Sequence, residues 1–113
     1  YQWLIEERVR VRRADEFDAY AYANVRSVNG LLNTEYTREN LDRVTVPTLI
    51  VFGTQDRLIP NRFMHGGSTR DVMEFGARGI KGSQLVELER CGHTLQMDCS
   101  VEFNSAVLGF IGG

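Results

Sequence analysis

The residues that decide the fold are Val46–Gly53, which read VPTLIVFG. The stretch is apolar and β-branched almost throughout, with a proline near its start and a glycine at its end. This composition predicts a strand that is buried on both faces, as in a parallel sheet whose crossover helices cover both sides. The stretch therefore favours an α/β fold.

Downstream of this strand, helices and strands are predicted to alternate. Ser68 or Thr69 can cap a helix over Arg70–Arg78. Gln84–Leu88 has the composition of a second strand, and Ser100–Ile111 that of a final helix. The apolar stripe of the final helix consists of Phe103, Val107, Phe110 and Ile111. This alternation is typical of a parallel α/β sheet. Two strands alone leave open edges, so we expect the chain to be part of a larger sheet.

The residues before the first strand are predicted to be helical. Gln2–Arg13 and Ala14–Asn29 carry apolar residues at helical spacing, and Gly30 is expected to end the second helix. The alternation of valine and arginine in the first segment also fits a short strand. Thr37 can cap a short helix over Arg38–Arg43. The chain thus combines a helical first part with an α/β second part.

Composition and charge exclude several classes of protein. The 113 residues are 42% hydrophobic and 25% charged, and the formal net charge is −2, so no general attraction to nucleic acid is expected. The apolar run Leu49–Phe52 is far shorter than the roughly 20 residues of a membrane span. No signal peptide is visible, and Gly66-Gly67 lacks the Gly-Lys-Ser/Thr of a phosphate-binding loop. We therefore expect a cytoplasmic protein without a cofactor.

The two cysteines, Cys91 and Cys99, are expected to be free thiols, because a reducing cytosol prevents most disulfides. Together with His93 and His65 they could instead bind zinc. The spacing lacks the paired Cys-x-x-Cys that zinc knuckles use, so a metal site is the last-ranked interpretation and none is predicted.

Two loops carry groups suited to acid–base chemistry. In open parallel sheets, functional residues cluster beyond the carboxyl ends of the strands. Asp56 follows the first strand, and His93 follows the second within Cys91-Gly92-His93. A carboxylate placed there can accept the imidazole Nδ1–H and leave the other ring nitrogen free to act as a base. The alternative interpretation is a loop-capping aspartate and an unrelated surface histidine.

These motifs resemble the α/β-hydrolase fold. Val46–Pro60, with its Asp-Arg pair, is similar to that fold's seventh strand and acid loop. Cys91-Gly92-His93, followed by Glu102-Phe103-Asn104, is similar to its histidine loop and last helix. Within the fold, the chain is most similar to the meta-cleavage-product C–C hydrolases, whose lid resembles Leu4–Arg12.

The resemblance implies a domain organisation and a role for each candidate residue. Residues 1–44 would form the end of a helical lid, and residues 45–113 the C-terminal part of the hydrolase core. Asp56 would be the triad acid, and His93 the general base for a nucleophile that is usually serine. The implied reaction is hydrolysis of a small ester-like or C–C substrate. Thr94 stands where the subgroup usually has tryptophan, which leaves the substrate class open.

The nucleophile of such a triad is missing from the sequence. No G-x-S-x-G motif occurs, and neither Ser68 nor Ser83 has the glycine two residues later. His65-Gly66-Gly67 is similar to an oxyanion motif of some lipases, but it follows the acid instead of preceding a nucleophile. We expect the nucleophile on an upstream segment, which a start at Tyr1 instead of Met also suggests, or on a partner chain. The isolated chain would then be inactive; the alternative is a non-catalytic interaction or assembly module derived from this fold.

Overall fold

A computed structural model of the chain describes residues 1–33, 35–61 and 63–113. The helices and strands are α1 (Gln2–Arg12), α2 (Phe17–Leu32), α3 (Tyr36–Glu39), a 3₁₀ turn (Leu41–Arg43), β1 (Leu49–Gly53), α4 (Thr69–Gly79), β2 (Gln84–Leu88), α5 (Leu95–Asp98) and α6 (Ser100–Gly112). The chain divides into two compact units, Tyr1–Thr37 and Arg38–Gly113. None of the helices in the described residues is long and apolar enough to cross a membrane.

The first unit is helical, as predicted. α1 is a helix and not the alternative strand, and an ion pair one turn apart, between Glu7 and Arg10 at 2.6 Å, lies on its surface. α2 continues to Leu32, so the prediction that Gly30 ends this helix is wrong. An interior glycine costs a helix about 1 kcal/mol relative to alanine, which lowers its stability without stopping it. Thr37 lies inside α3 and does not cap it.

The second unit contains the predicted parallel sheet. β1 and β2 pair in parallel, in a register that runs from Leu49 opposite Gln84 to Gly53 opposite Leu88. α4 connects them, which confirms the α/β class. The expectation that β1 is buried on both faces is wrong for most of its length, since only Phe52 and Gly53 are buried. In a sheet of two strands, each strand has one edge without a neighbour, so its residues keep part of their exposure.

α4 begins where the sequence predicts it. The Ser68 hydroxyl accepts a hydrogen bond from the backbone N–H of Asp71 at 3.2 Å, and the Asp71 carboxylate accepts one from the backbone N–H of Ser68 at 2.6 Å. This reciprocal pair is a capping box, which satisfies two amides that a helix start leaves unpaired. Ser68, and not Thr69, is therefore the cap.

The core of the second unit is small, with Phe52, Ile80, Cys91 and Leu95 as its buried hydrophobic residues. On α6 the predicted stripe is half-buried except for Ile111, whose side chain is 73% exposed. At 3.6 residues per turn, Ile111 lies about 80° around the helix from Phe103, at the margin of the face that packs inward. Its prediction as a packed residue is therefore wrong.

Candidate active site

Asp56 and His93 meet at the carboxyl ends of the two parallel strands. Asp56 lies three residues beyond β1, and His93 lies five residues beyond β2. The Asp56 Oδ2 atom and the His93 Nδ1 atom are 2.9 Å apart, a hydrogen bond that joins residues 37 positions apart in the chain. Because parallel strands end at the same edge of a sheet, the register of β1 and β2 brings the two loops together.

The carboxylate of Asp56 is buried and fully engaged. Its other oxygen, Oδ1, accepts hydrogen bonds from the backbone N–H groups of Leu58 at 2.8 Å and Ile59 at 3.1 Å. The residue is 5% exposed. Burial acts to raise the pKa of Asp56, but the hydrogen bonds from His93, Leu58 and Ile59 and the charge of His93 outweigh it and hold the pKa below its usual value. The carboxylate is thus ionised at neutral pH. Asp56 caps its own loop and also binds the histidine, so both interpretations of this residue apply.

The hydroxyl of Thr69, which was predicted only as a possible helix cap, anchors the acid loop. Thr69 is buried at the start of α4, and its Oγ1 donates a hydrogen bond to the carbonyl of Ile59 at 2.6 Å. The carbonyl of Asp56 lies 3.5 Å from the same hydroxyl. The Ser68-Thr69 pair is the sequence feature that could have predicted this role. One hydroxyl suffices to cap the helix, so the other is free to form a hydrogen bond with a distant part of the chain.

Hydrogen bonds donated by backbone amides join the acid loop directly to the histidine loop. The backbone N–H of Gln55 donates to the carbonyl of Cys91 at 2.9 Å, and the backbone N–H of Arg90 donates to the hydroxyl of Thr54 at 2.9 Å. Gly53, at the end of β1, lies so close to the carbonyl oxygens of Cys91 and Gly92 that a Cβ atom would overlap them. The two loops therefore behave as one packed structure around the pair Asp56 and His93.

One nitrogen of the His93 imidazole is hydrogen-bonded to Asp56, and the other can accept a proton. With Nδ1 donating to the Asp56 carboxylate, a neutral ring carries its lone pair on Nε2. Within residues 1–33, 35–61 and 63–113, Nδ1 is the only ring nitrogen with a hydrogen-bond partner, and the His93 side chain is 49% exposed. The ring can thus take a proton from a group presented to its exposed side.

Gly92, beside this histidine, lies close to the side chain of Asp98. Its φ is not positive, so the backbone angle at this position does not require glycine. A Cβ atom on Gly92 would instead lie 2.7 Å from the Oδ2 atom of Asp98. Asp98 is the last residue of α5, and its carboxylate would have to move aside to admit a side chain at position 92.

The expectation of free thiols is wrong, since Cys91 and Cys99 form a disulfide. The turn through α5 brings their Cα atoms to 5.9 Å, within the range that a disulfide spans. Neither sulfur is then available as a zinc ligand. The part of the chain that the structure describes also contains no cluster of three His, Cys, Asp or Glu side chains arranged to hold a metal ion.

The two serines near glycines have structural roles. Ser68 caps α4, and the Ser83 hydroxyl donates to the carbonyl of Ala77 at 3.0 Å. His65 lies in a turn, where its backbone N–H donates to the carbonyl of Asn61 at 2.8 Å. Among the residues that the structure describes, no hydroxyl or thiol is hydrogen-bonded to His93. The site therefore consists of an acid and a base.

Neither a family model nor a solved structure matches the chain, but curated proteins do. A 2-hydroxy-6-oxononadienedioate/2-hydroxy-6-oxononatrienedioate hydrolase of Cupriavidus pinatubonensis is 33% identical over 75 residues, 64% of this chain and 22% of that protein. Monoacylglycerol lipase ABHD6 of Mus musculus is 37% identical over 60 residues, 53% of this chain and 15% of the lipase. A pimeloyl-(acyl-carrier protein) methyl ester esterase of Neisseria meningitidis is 32% identical over 76 residues, 67% of this chain and 26% of the esterase.

These relatives are C–C hydrolases and esterases of the α/β-hydrolase type, so the predicted resemblance is confirmed. The match covers about a quarter or less of the length of each relative.

Proposed function

We propose, from the premise that the chain is a relative of the α/β hydrolases, that it supplies the acid and the base of a nucleophile–His–Asp triad. Asp56 is the acid and His93 is the general base. The observation that carries this proposal is the 2.9 Å hydrogen bond between a buried, ionised carboxylate and a half-exposed imidazole at the carboxyl ends of parallel strands. A buried charged group is usually hydrogen-bonded or paired with an opposite charge. Such buried pairs are frequent at active sites.

The proposed mechanism follows from the two ring nitrogens. His93 Nε2 removes the proton of the nucleophile as the nucleophile attacks the substrate, and the ring becomes an imidazolium. Asp56, which already accepts the Nδ1–H, stabilises that positive charge without taking the proton. Nε2 then donates its proton to the leaving group and later activates water to release the product. The backbone amides of Leu58 and Ile59 keep the carboxylate in position through both steps.

The relatives support a substrate class. Their names describe hydrolysis of a 2-hydroxy-6-oxo dienedioate or trienedioate, of monoacylglycerols and of a methyl ester. We infer a small ester-like or C–C substrate for this protein. The nucleophile and the oxyanion hole would lie on a segment outside these 113 residues, either upstream in the same protein or on a partner chain. Residues 1–44 would then belong to the lid, and residues 45–113 to the C-terminal part of the core.

The disulfide also bears on where in the cell the protein is found. The free thiols were expected as a consequence of the predicted cytoplasmic location. The disulfide weighs against it, because cytosolic reductants keep most thiols unpaired.

The proposal is tested on the intact natural protein that contains this chain, with a chromogenic short-chain ester as substrate. His93→Ala should lower kcat by about 10³-fold or more, since a triad without its base keeps only the contribution of binding and the oxyanion hole. Asp56→Asn should lower it to a similar extent, because the amide side chain favours the wrong imidazole tautomer. His65→Ala, which changes the other histidine of the chain, should leave the rate near wild type.

Two outcomes would contradict the assignment. If His93→Ala kept the wild-type rate constant, His93 would not be the base. If the intact, folded protein hydrolysed neither an ester nor a C–C substrate, the alternative of a non-catalytic assembly module would be favoured instead.

A further inference from the structure

The disulfide between Cys91 and Cys99 encloses the histidine of the site. The two cysteines are eight positions apart, and the residues between them include His93 and the short helix α5. The bond closes this segment into a covalent ring. His93 is the third residue of the ring, two positions after Cys91.

Both ends of the ring are attached to other parts of the fold. Cys91 is 1% exposed, and its carbonyl accepts the hydrogen bond from Gln55 of the acid loop. Cys99 directly precedes α6, and its carbonyl accepts a hydrogen bond from the backbone N–H of Phe103 at 2.9 Å. The disulfide therefore connects the loop that carries Asp56 to the start of α6.

The segment inside the ring is short, and part of it is exposed. α5 has four residues, and a helix of one turn is not stable by itself in water. The His93 side chain is half-exposed. Among the described residues, Asp56 is the one hydrogen-bond partner of its imidazole ring. Leu95 is the only residue between the two cysteines that is buried. Covalent closure therefore acts together with the backbone contact between Gly53 and Gly92 in restricting where the imidazole can lie.

We propose that the Cys91–Cys99 disulfide positions His93, holding its imidazole within hydrogen-bonding distance of Asp56, and that a dithiol reductant releases it. The consequence for catalysis rests on the proposed function, whereas the effect on the Asp56–His93 bond is a property of this chain alone. Cys91 and Cys99 act here through His93 and do not touch the substrate.

The release is a two-electron reduction. A thiolate of a dithiol attacks the Sγ atom of Cys99, because Cys99 is only half-buried whereas Cys91 is buried. The sulfur–sulfur bond breaks, and its electron pair remains on Cys91, which takes a proton. The second thiol of the reagent then attacks the mixed disulfide and frees Cys99, which is also protonated. The reagent leaves as a cyclic disulfide, so two electrons and two protons pass to the protein.

The test is solution NMR of the full 113-residue chain in its oxidised form and after treatment with dithiothreitol. The probe is the imidazole Nδ1–H signal of His93, which a hydrogen bond to a carboxylate shifts downfield and protects from exchange. Asp56→Asn identifies the signal by removing it. Reduction should abolish the signal, while the backbone amide signals of β1, β2 and α4 keep their positions.

A double variant, Cys91→Ala with Cys99→Ala, checks that the effect comes from the missing bond and not from the reagent. Its spectrum should match that of the reduced wild type and should not respond to dithiothreitol. In the intact natural protein, the same double variant should lower kcat and leave KM near wild type, as expected for a residue that orients the base and does not bind substrate.

Three results would overturn the inference. A His93 signal that survives reduction would show that packing alone positions the ring. Loss of the amide signals throughout the second unit would show that the disulfide serves the whole fold and not the histidine. Absence of an Asp56-dependent signal in the oxidised chain would remove the acid–base pair itself, so this last result separates failure of the proposed function from failure of the positioning role.

Discussion

Gly53, the last residue of β1, lies directly against the backbone carbonyl of Cys91, the first residue of the histidine loop. The approach leaves no space for a Cβ atom on Gly53. The neighbouring backbone N–H of Gln55 donates to that same carbonyl. The distance between the acid loop and the histidine loop is therefore set by two stretches of backbone in contact.

Gly53→Ala should destabilise the protein by about 1–3 kcal/mol, because an inserted methyl group would have to displace backbone and not a flexible side chain. Urea denaturation measures the change. Gly66→Ala is the matched control, since nothing lies within 4 Å of the Cβ position there. Equal stabilities of the two variants would show that the loops separate easily.

Thr69→Val should lower the free energy of unfolding by about 1–3 kcal/mol, because it leaves the carbonyl of Ile59 without its hydrogen bond. The substitution keeps the volume of the side chain, so the change reports on the hydroxyl. Thr48→Val is the control, because the Thr48 hydroxyl also donates to a carbonyl but at an exposed position. We expect the control to stay within about 0.5 kcal/mol of wild type. A Thr69→Val protein as stable as wild type would mean that the hydroxyl does not anchor the acid loop.

Stability should fall as the pH is lowered from neutral toward about pH 3, and Asp56 should contribute to the loss. Its pKa in the folded protein lies below the usual value. Such a carboxylate stabilises the fold above its unfolded pKa, near 3.9, and this contribution is lost as the pH falls through the lower folded pKa. Urea denaturation of wild type and Asp56→Asn across this range measures the difference.

Asp56→Asn should reduce the acid-induced loss without abolishing it. Asp71 also has a pKa below its usual value, chiefly because of its hydrogen bonds with Ser68, and it titrates in the same range. Asp42→Asn removes the same charge from an exposed position and serves as the control. If Asp56→Asn and wild type lost stability in parallel, the pKa of Asp56 would not be coupled to folding.

Ser68→Ala should lower the unfolding free energy by about 1 kcal/mol, the usual cost of losing an N-cap side chain. Ser68→Asn should recover most of the loss, since asparagine is also a good N-cap and adds no charge beside the Asp71 carboxylate. Activity of the intact natural protein should change little in either variant. A loss of activity in Ser68→Asn with stability retained would instead point to a chemical role for the Ser68 hydroxyl.

Local chemistry was enough to predict much of the second unit. The apolar run at Leu49–Gly53, the run at Gln84–Leu88 and the Ser68 cap each depend on residues near one another in the chain. The meeting of Asp56 and His93 could also be predicted, although they are 37 residues apart. The connection of two strands through a helix makes them parallel, and parallel strands end at the same edge.

Other features depended on packing that no local pattern contains. Ile111 was predicted to belong to the packed stripe of α6, but it lies at the margin of the face that packs inward. The role of Thr69 requires the acid loop to return to the start of α4. These positions were predicted wrongly or incompletely because the neighbours that decide them are distant in the chain.

The amino-acid sequence by itself determined the α/β class, the resemblance to α/β hydrolases, and the two residues able to form an acid–base pair. Only the tertiary structure decided that Cys91 and Cys99 pair, that Gly53 must be glycine and that Thr69 holds the acid loop. The physical reason is that composition and spacing specify which elements form. A disulfide, a backbone approach and a buried hydrogen bond require ångström-scale distances between atoms, and those exist only after the elements have packed.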